Sequence, residues 1–341
     1  MSEHPLATPV LAAGLDVGGT NTALVVTDEH DRLLLHDVVR TNPSDLAGQA
    51  IGLARRAGHE LESRGLRLAA VGVAVPGRVQ PIDGTLALAV NLGAPVLPLA
   101  GLLEAATGLP SYIEHDARAA AGWLRDSPSY GGRYLAYLSV GTGISAGVVI
   151  DGELLRGVGG LAGELGHTVA LPSGPRCSCG LAGCLEAVAA GPAIARQARE
   201  ALAAGRASSL PSEATSADVF RAAAEGDELA AELADAAAGH LSRAIRALVL
   251  LFGVERVIVG GGVAAAGGHL LERLLAKLAD ERVASALVEA AFATVSVDVL
   301  APETEAGARG AAAIARAGVR GRAARAGDDV LVTQGEGVGS Q

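Results

Sequence analysis

The sequence predicts an α/β protein built from two related halves, and three observations carry that expectation. Apolar runs of strand length alternate along the chain with stretches of helical spacing. A strand–glycine turn–strand unit over residues 15–28 returns over 138–151, with seven of fourteen positions identical at a constant offset of 123. Half of the 341 residues are hydrophobic yet only 2% are aromatic, so the core has to be Ala, Val and Leu packed closely.

Residues 10–17, 22–27 and 32–39 read as three strands joined by turns at Gly18-Gly19 and at 28–31. Residues 44–64 have helical spacing and stop before Gly65, 69–75 is a buried strand stopped by Pro76-Gly77, and a short helix covers 104–107. A strand at 111–114 feeds a helix that starts near Asp116. The second half opens with its hairpin and is then richer in helix, at 185–205, 217–226, 228–252 and 270–280. Strands at 255–259 and 295–300 and a last helix at 305–316 complete it. The expected domains are 1–115, closed by the C-terminal helix 305–317, and 116–304. The Gly-rich, polar tail at 321–341 is expected to be disordered.

A net charge of -10 and a pI near 5.3 argue against a nucleic-acid partner. No apolar run is long enough for a membrane span, and no secretory leader is evident, so a cytoplasmic protein with reduced thiols is expected.

The turns Gly18-Gly19-Thr20-Asn21 and Gly141-Thr142-Gly143 each join two apolar strands. Such turns let backbone N–H groups approach an anion. One alone would merely close a hairpin, but two at equivalent places could clamp a polyphosphate between them. Asp16, just before the first turn, either caps it or holds Mg²⁺ through water. Gly260-Gly261-Gly262, between a strand and a helix, is either a tight connection or a seat for a nucleoside. Asp116, at a strand end and helix start, is an N-cap by local sequence. Combined with two phosphate turns it becomes the candidate general base for transfer to a hydroxyl.

All three cysteines lie in Cys177-Ser-Cys-Gly-Leu-Ala-Gly-Cys184, ten residues after His167. One imidazole and three thiolates are the ligand set of a closed structural Zn²⁺ site. A disulfide fits poorly, because three is odd and the expected compartment is reducing. Short backbone ties Glu164 and Glu186 to the cluster, so both are candidate acceptors for sugar hydroxyls, or else solvated charges. The second ring nitrogen of His167 could reach a hydroxyl too.

The stretches DVGGTN, EHDARAAA, SVGTGI, GGLAGELGHTVA and CSCGLAGCLEAVAAG, in this order, resemble the ROK family of sugar kinases and regulators over about residues 11–317. The resemblance implies an actin-like ATPase fold, two ribonuclease-H-like domains around a cleft, in a homodimer or homotetramer. It implies ATP with Mg²⁺ and phosphorylation of a hexose, commonly at the 6-hydroxyl, as in a glucokinase. Asp116 is then the base. Glu164, His167 and Glu186 bind the sugar, with His167 also on the metal. Pro76-Gly77 and Asn91-Leu92 match the sugar-side loops, and Gly260–Gly262 the adenosine side. The family commonly has Asn-Asp-Ala-Asn where this chain has His115-Asp116-Ala117-Arg118, and the first Asn usually touches the sugar. His115 is bulkier and can titrate, which leaves N-acetylmannosamine or N-acetylglucosamine as alternative substrates. The regulators of the family carry a DNA-reading module ahead of the first strand. Here that strand begins at residue 10, so a sugar-responsive regulator without such a module is the lesser expectation.

Overall fold

The computed structural model describes residues 10–80, 83–88, 96–266 and 268–335. The chain runs β1 (Leu11–Val17), β2 (Asn21–Thr27), β3 (Leu33–Arg40), α1 (Leu46–Ser63), β4 (Leu68–Val75), β5 (Arg78–Val79), β6 (Leu86–Leu88), α2 (Leu99–Thr107), β7 (Ser111–His115) and α3 (Asp116–Asp126). It continues through β8 (Leu135–Val140), β9 (Ile144–Ile150), β10 (Glu153–Leu154), α4 (Leu185–Ala189), α5 (Gly191–Ala203), α6 (Ser216–Ala224) and α7 (Glu228–Phe252). It ends with β11 (Arg256–Gly260), α8 (Gly262–Ala266), α9 (Gly268–Ala284), α10 (Ala286–Ala291), β12 (Ser296–Val299) and α11 (Ala306–Gly335).

Two compact units result. Of the described residues, one holds those up to 88, those from 96 to 119 and those from 307 onward; the other holds those from 120 to 306. The division falls inside α3 rather than before it, because Ala119 packs with Ala74 and Ala311 of the first unit.

The first unit's sheet has the order β3-β2-β1-β4-β7, with β1–β2 and β2–β3 antiparallel and β1–β4 and β4–β7 parallel. Helix α11 lies directly on it. Ala308, Ala312 and Ala315 pack against Ala12, Val25 and Ala70. The approach is so close that a Cβ on Gly72 would sit 1.9 Å from the Ala311 carbonyl oxygen. This is what a core almost without aromatics permits: small faces bring helix and sheet backbones together.

The second unit's sheet has the order β10-β9-β8-β11-β12, and each pair has the same sense as its counterpart. The repeat seen in sequence is therefore a repeat of topology. Its constant offset holds only as far as the turn. Val17 pairs with Thr22, enclosing residues 18–21, whereas Val140 pairs with Ile144, enclosing 141–143. The second turn is one residue shorter, so beyond it the ladder positions correspond at 122, and the later sequence identities fall on opposite faces.

Leu138, Val148 and Val259 meet Phe220, Leu241 and Leu274 in this unit's core. Helix α7 starts at an N-cap, Asp227, whose carboxylate accepts from Ala230 N at 2.9 Å and from the Ser208 hydroxyl at 2.9 Å. These bonds, the Ala230 N–H first, hold its pKa down at about 2, from 3.8. A depressed carboxylate pKa contributes stability that is present above 3.8 and is lost as pH falls through about 2. Asp227→Ala removes a cap of about 1 kcal/mol and should lower the melting midpoint by about 2–4 °C near neutral pH. In melts at falling pH, the gap between variant and wild type should close as pH passes about 2.

Two other expectations change, and two short hairpins are additional. The helix expected over 185–205 is two, α4 and α5, because Ala190 is extended (φ -74°, ψ 161°) and Pro192 brings no N–H to a continuous ladder. The short hairpins of β5 with β6 and β9 with β10 were not foreseen. The last helix, expected to end by 317 ahead of a disordered tail, runs on to Gly335. Residues 336–341 lie outside the described residues, as does Asn91-Leu92. Among the described residues no helix is long and apolar enough to cross a membrane.

Candidate active site

In the second unit the GELGH stretch is pressed onto β9. Ala146 N donates to the Gly163 carbonyl at 2.7 Å, and Gly163 has a φ of +99°. A Cβ there would stand 1.9 Å from the Ala146 carbonyl oxygen, so the strand edge admits only glycine. This anchors Glu164 and the 3-10 turn Leu165–His167 beside the β8–β9 hairpin.

The cysteine segment folds back on this turn. Leu185 N donates to Thr168 O at 2.9 Å, and Ala170 N to Gly183 O at 2.8 Å. Cys177 Sγ lies 3.6 Å from His167 Nδ1, and Cys179 Sγ 3.7 Å from Cys184 Sγ; all three thiols are free. The four candidate ligand atoms lie within 4.8 Å of one another. A tetrahedral ion with metal–sulfur bonds of about 2.3 Å sets its sulfurs about 3.8 Å apart, so the cluster fits a metal ion. Burial, reinforced by the Cys179 and Cys177 sulfurs, pushes the Cys184 thiol up to about 12. A dication held there would let three thiolates share so small a volume.

The carboxylates flank this knot. His167 turns Nδ1 to the sulfurs and Nε2 toward Glu164, 4.0 Å from Oε2. Both side chains are about a quarter exposed. Glu186 is buried: its Oε1 accepts from Ser178 Oγ at 3.3 Å, and its Oε2 accepts from Ile144 N at 3.1 Å. Ile144 follows the Gly141–Gly143 turn directly, so Glu186 joins the knot to that turn. On the turn's other side Gly191 N donates to Gly141 O at 2.9 Å. Gly262 N lies 3.6 Å from the place of a Gly141 Cβ, so Gly260–Gly262 is brought against the same turn. Sequence reasoning missed Ser178 and Gly191. Ser178 lies inside the cysteine motif and could have been suspected; Gly191 carried no signal.

In the first unit, Gly18 N donates to Asn21 O at 2.9 Å, closing the turn that carries Gly19 and Thr20. Thr41, also missed, steadies it: its N–H reaches Thr20 O and its hydroxyl reaches Gly18 O at 2.7 Å. Asp16 lies near the C-terminal end of β1, its carboxylate against Gly307. Ladder registers put Asp16 level with Ala74 and Ala74 level with Glu114. Asp16 and Asp116 therefore belong to the same sheet edge, with their strands about 10 Å apart. Asp116 is the first residue of α3, and its side chain is 25% exposed. Its Oδ1 accepts from Ala117 N at 2.6 Å and lies 3.2 Å from Nδ1 of the buried His115. Gly77 follows β4 on that edge with a φ of +105°.

Two units, each a mixed five-stranded sheet of the same topology, define the actin-like ATPase fold, and comparison with known proteins agrees. The family model described as "ROK family" matches residues 12–318. The chain belongs to the ROK family. It is 34% identical over 272 residues to a glucokinase of Halalkalibacterium halodurans, spanning 76% of this chain and 82% of that one. It is 35% identical over 260 residues to an N-acetylmannosamine kinase of Salmonella paratyphi A, spanning 75% and 84%. A solved ROK glucokinase from Streptomyces griseus, in complex with glucose and AMPPNP, is 30% identical with a TM-score of 0.74, covering 90% of this chain and 99% of that one.

Proposed function

We propose that this protein is an ATP-dependent hexose kinase that transfers a phosphoryl group to the 6-hydroxyl, with glucose as its substrate. The observation that carries the reading is Asp116: a partly exposed carboxylate at the first turn of α3, on the sheet edge that also bears Asp16. Similarity to named sugar kinases over three quarters of the chain supports it.

Asp116 orients the sugar hydroxyl and takes its proton as the oxygen attacks the γ-phosphorus, while the bond from that phosphorus to the β,γ-bridging oxygen breaks and ADP leaves. Glu164, Glu186 and Nε2 of His167 hold the other hydroxyls, helped by Gly77, Asn91 and His115. Backbone N–H groups of the turns at Gly18–Asn21 and Gly141–Gly143 carry the phosphates, and Gly260–Gly262 seats the adenosine. Asp16 would hold Mg²⁺, which would supply charge neutralisation for the transferring phosphoryl group. His167, Cys177, Cys179 and Cys184 would hold Zn²⁺, whose contribution would be to fix the knot rather than to take part in the transfer. We place the enzyme in the cytoplasm as a homodimer or homotetramer.

A second reading, an N-acetylmannosamine or N-acetylglucosamine kinase, is favoured by one observation. His115 stands where the family commonly has a sugar-touching Asn, and its ring is buried beside Asp116. A substrate panel decides. With ATP-Mg²⁺, ADP release should rise on adding glucose and less on adding either acylated hexosamine. The reverse order selects the second reading, and no sugar-dependent ADP from any of them defeats both.

A further inference from the structure

We infer that Arg118 and Glu114 form a buried clamp that positions Asp116 for proton transfer, without themselves touching the sugar or the nucleotide. The inference rests on the reading of Asp116 as the base. Strand β7 ends at His115 and α3 begins at Asp116, so no loop intervenes. The direction in which the base points is therefore set by whatever spans this junction. Arg118 Nε donates to Glu114 Oε1 at 2.8 Å across it, and the same oxygen accepts from His115 N at 2.9 Å. One carboxylate oxygen thus ties the backbone just before the base to the helix turn just after it.

The side chains of this pair are 1% and 9% exposed, whereas that of Asp116 is 25% exposed. At 3.6 residues per turn, position 116 points about 200° away from position 118. The clamp is consequently buried behind the helix start while the base emerges in front. Arg118 is among the largest fully buried side chains of the chain, surrounded in sequence by Ala117, Ala119, Ala120 and Ala121, all buried. Those methyls fix the helix's distance from its neighbours but not its rotation. A charge-assisted hydrogen bond with one allowed geometry does fix it. Burying two charges costs desolvation that their attraction roughly offsets, so the pair's value lies in geometry more than in stability.

The test compares wild type with Arg118→Met, Arg118→Lys and the double variant Glu114→Gln/Arg118→Met. In Arg118→Met and in the double variant, kcat should fall at least about tenfold, while the sugar dissociation constant by calorimetry stays within about threefold. The double variant removes both charges of the pair together and should melt closer to wild type than Arg118→Met does. Arg118→Lys, which keeps the charge, should recover part of kcat. A double variant that regains wild-type kcat along with its melting temperature assigns the pair to stability alone and overturns the inference. A loss of sugar affinity with kcat unchanged overturns it too. Crystal structures of wild type and Arg118→Met separate this result from the kinase reading. If wild type turns over no sugar, that reading fails. The inference is then decided by whether the Asp116 carboxylate keeps its hydrogen bond to Ala117 N in the variant: displacement supports it, and an unmoved carboxylate overturns it.

Discussion

Asp116→Ala should abolish sugar-dependent ADP release, lowering kcat by about three orders of magnitude or more, while calorimetry still detects the sugar. Removing the carboxylate takes away the group that orients the hydroxyl and receives its proton. The contacts expected to hold the sugar's other hydroxyls, from Glu164, His167 and Glu186, belong to the second unit and are left in place. The effect must therefore fall on kcat rather than on binding. Asp116→Asn is the sharper form. It preserves shape and an acceptor for Ala117 N, so the helix start is undisturbed and only basicity is lost. A variant of either kind that keeps turnover within about tenfold of wild type removes Asp116 as the base.

Much of the local geometry of the candidate site was legible in sequence for one reason. Its parts are short local motifs whose geometry is set by backbone chemistry. A glycine turn between two strands, an acidic residue at a strand-to-helix junction and cysteines at short spacing keep their meaning wherever they are packed. The parts that escaped are those that depend on distant partners. Thr41 steadies the first turn from more than twenty residues away. The Glu114–Arg118 pair has helical spacing that would serve equally well on a solvated face; only its burial makes it a clamp. The missing residue in the second turn is a matter of ladder register, which the apolar alternation of β9 cannot reveal because its residues are nearly all buried. The break between α4 and α5 was visible in Pro192, but the helical periodicity on both sides overrode it.

Cys179→Ser should strip the metal and uncouple the sugar site while leaving the protein folded. The wild-type protein should carry about one zinc per chain by elemental analysis, and the variant far less. In small zinc modules the metal supplies most of the folding energy. Here the knot grows out of an established core, because Leu185 on one flank and Ile144 on the other belong to the main apolar cluster of the second unit. The loss is therefore local. The melting midpoint should drop by about 5–10 °C rather than collapse. The larger effect is on the substrate. His167 faces Cys177 through one ring nitrogen, where the proposed ion would hold it, and Glu164 and Glu186 keep their places through the same backbone. Once the fourth ligand is gone these groups lose their common support. The sugar KM should rise at least about tenfold, with the KM for ATP changing less. Because Glu186 also accepts from Ile144 N at the end of the Gly141–Gly143 turn, a smaller rise for ATP is expected as well. A metal-free variant with wild-type sugar KM would show that the knot stands without its ion and that the two carboxylates are positioned by the protein alone.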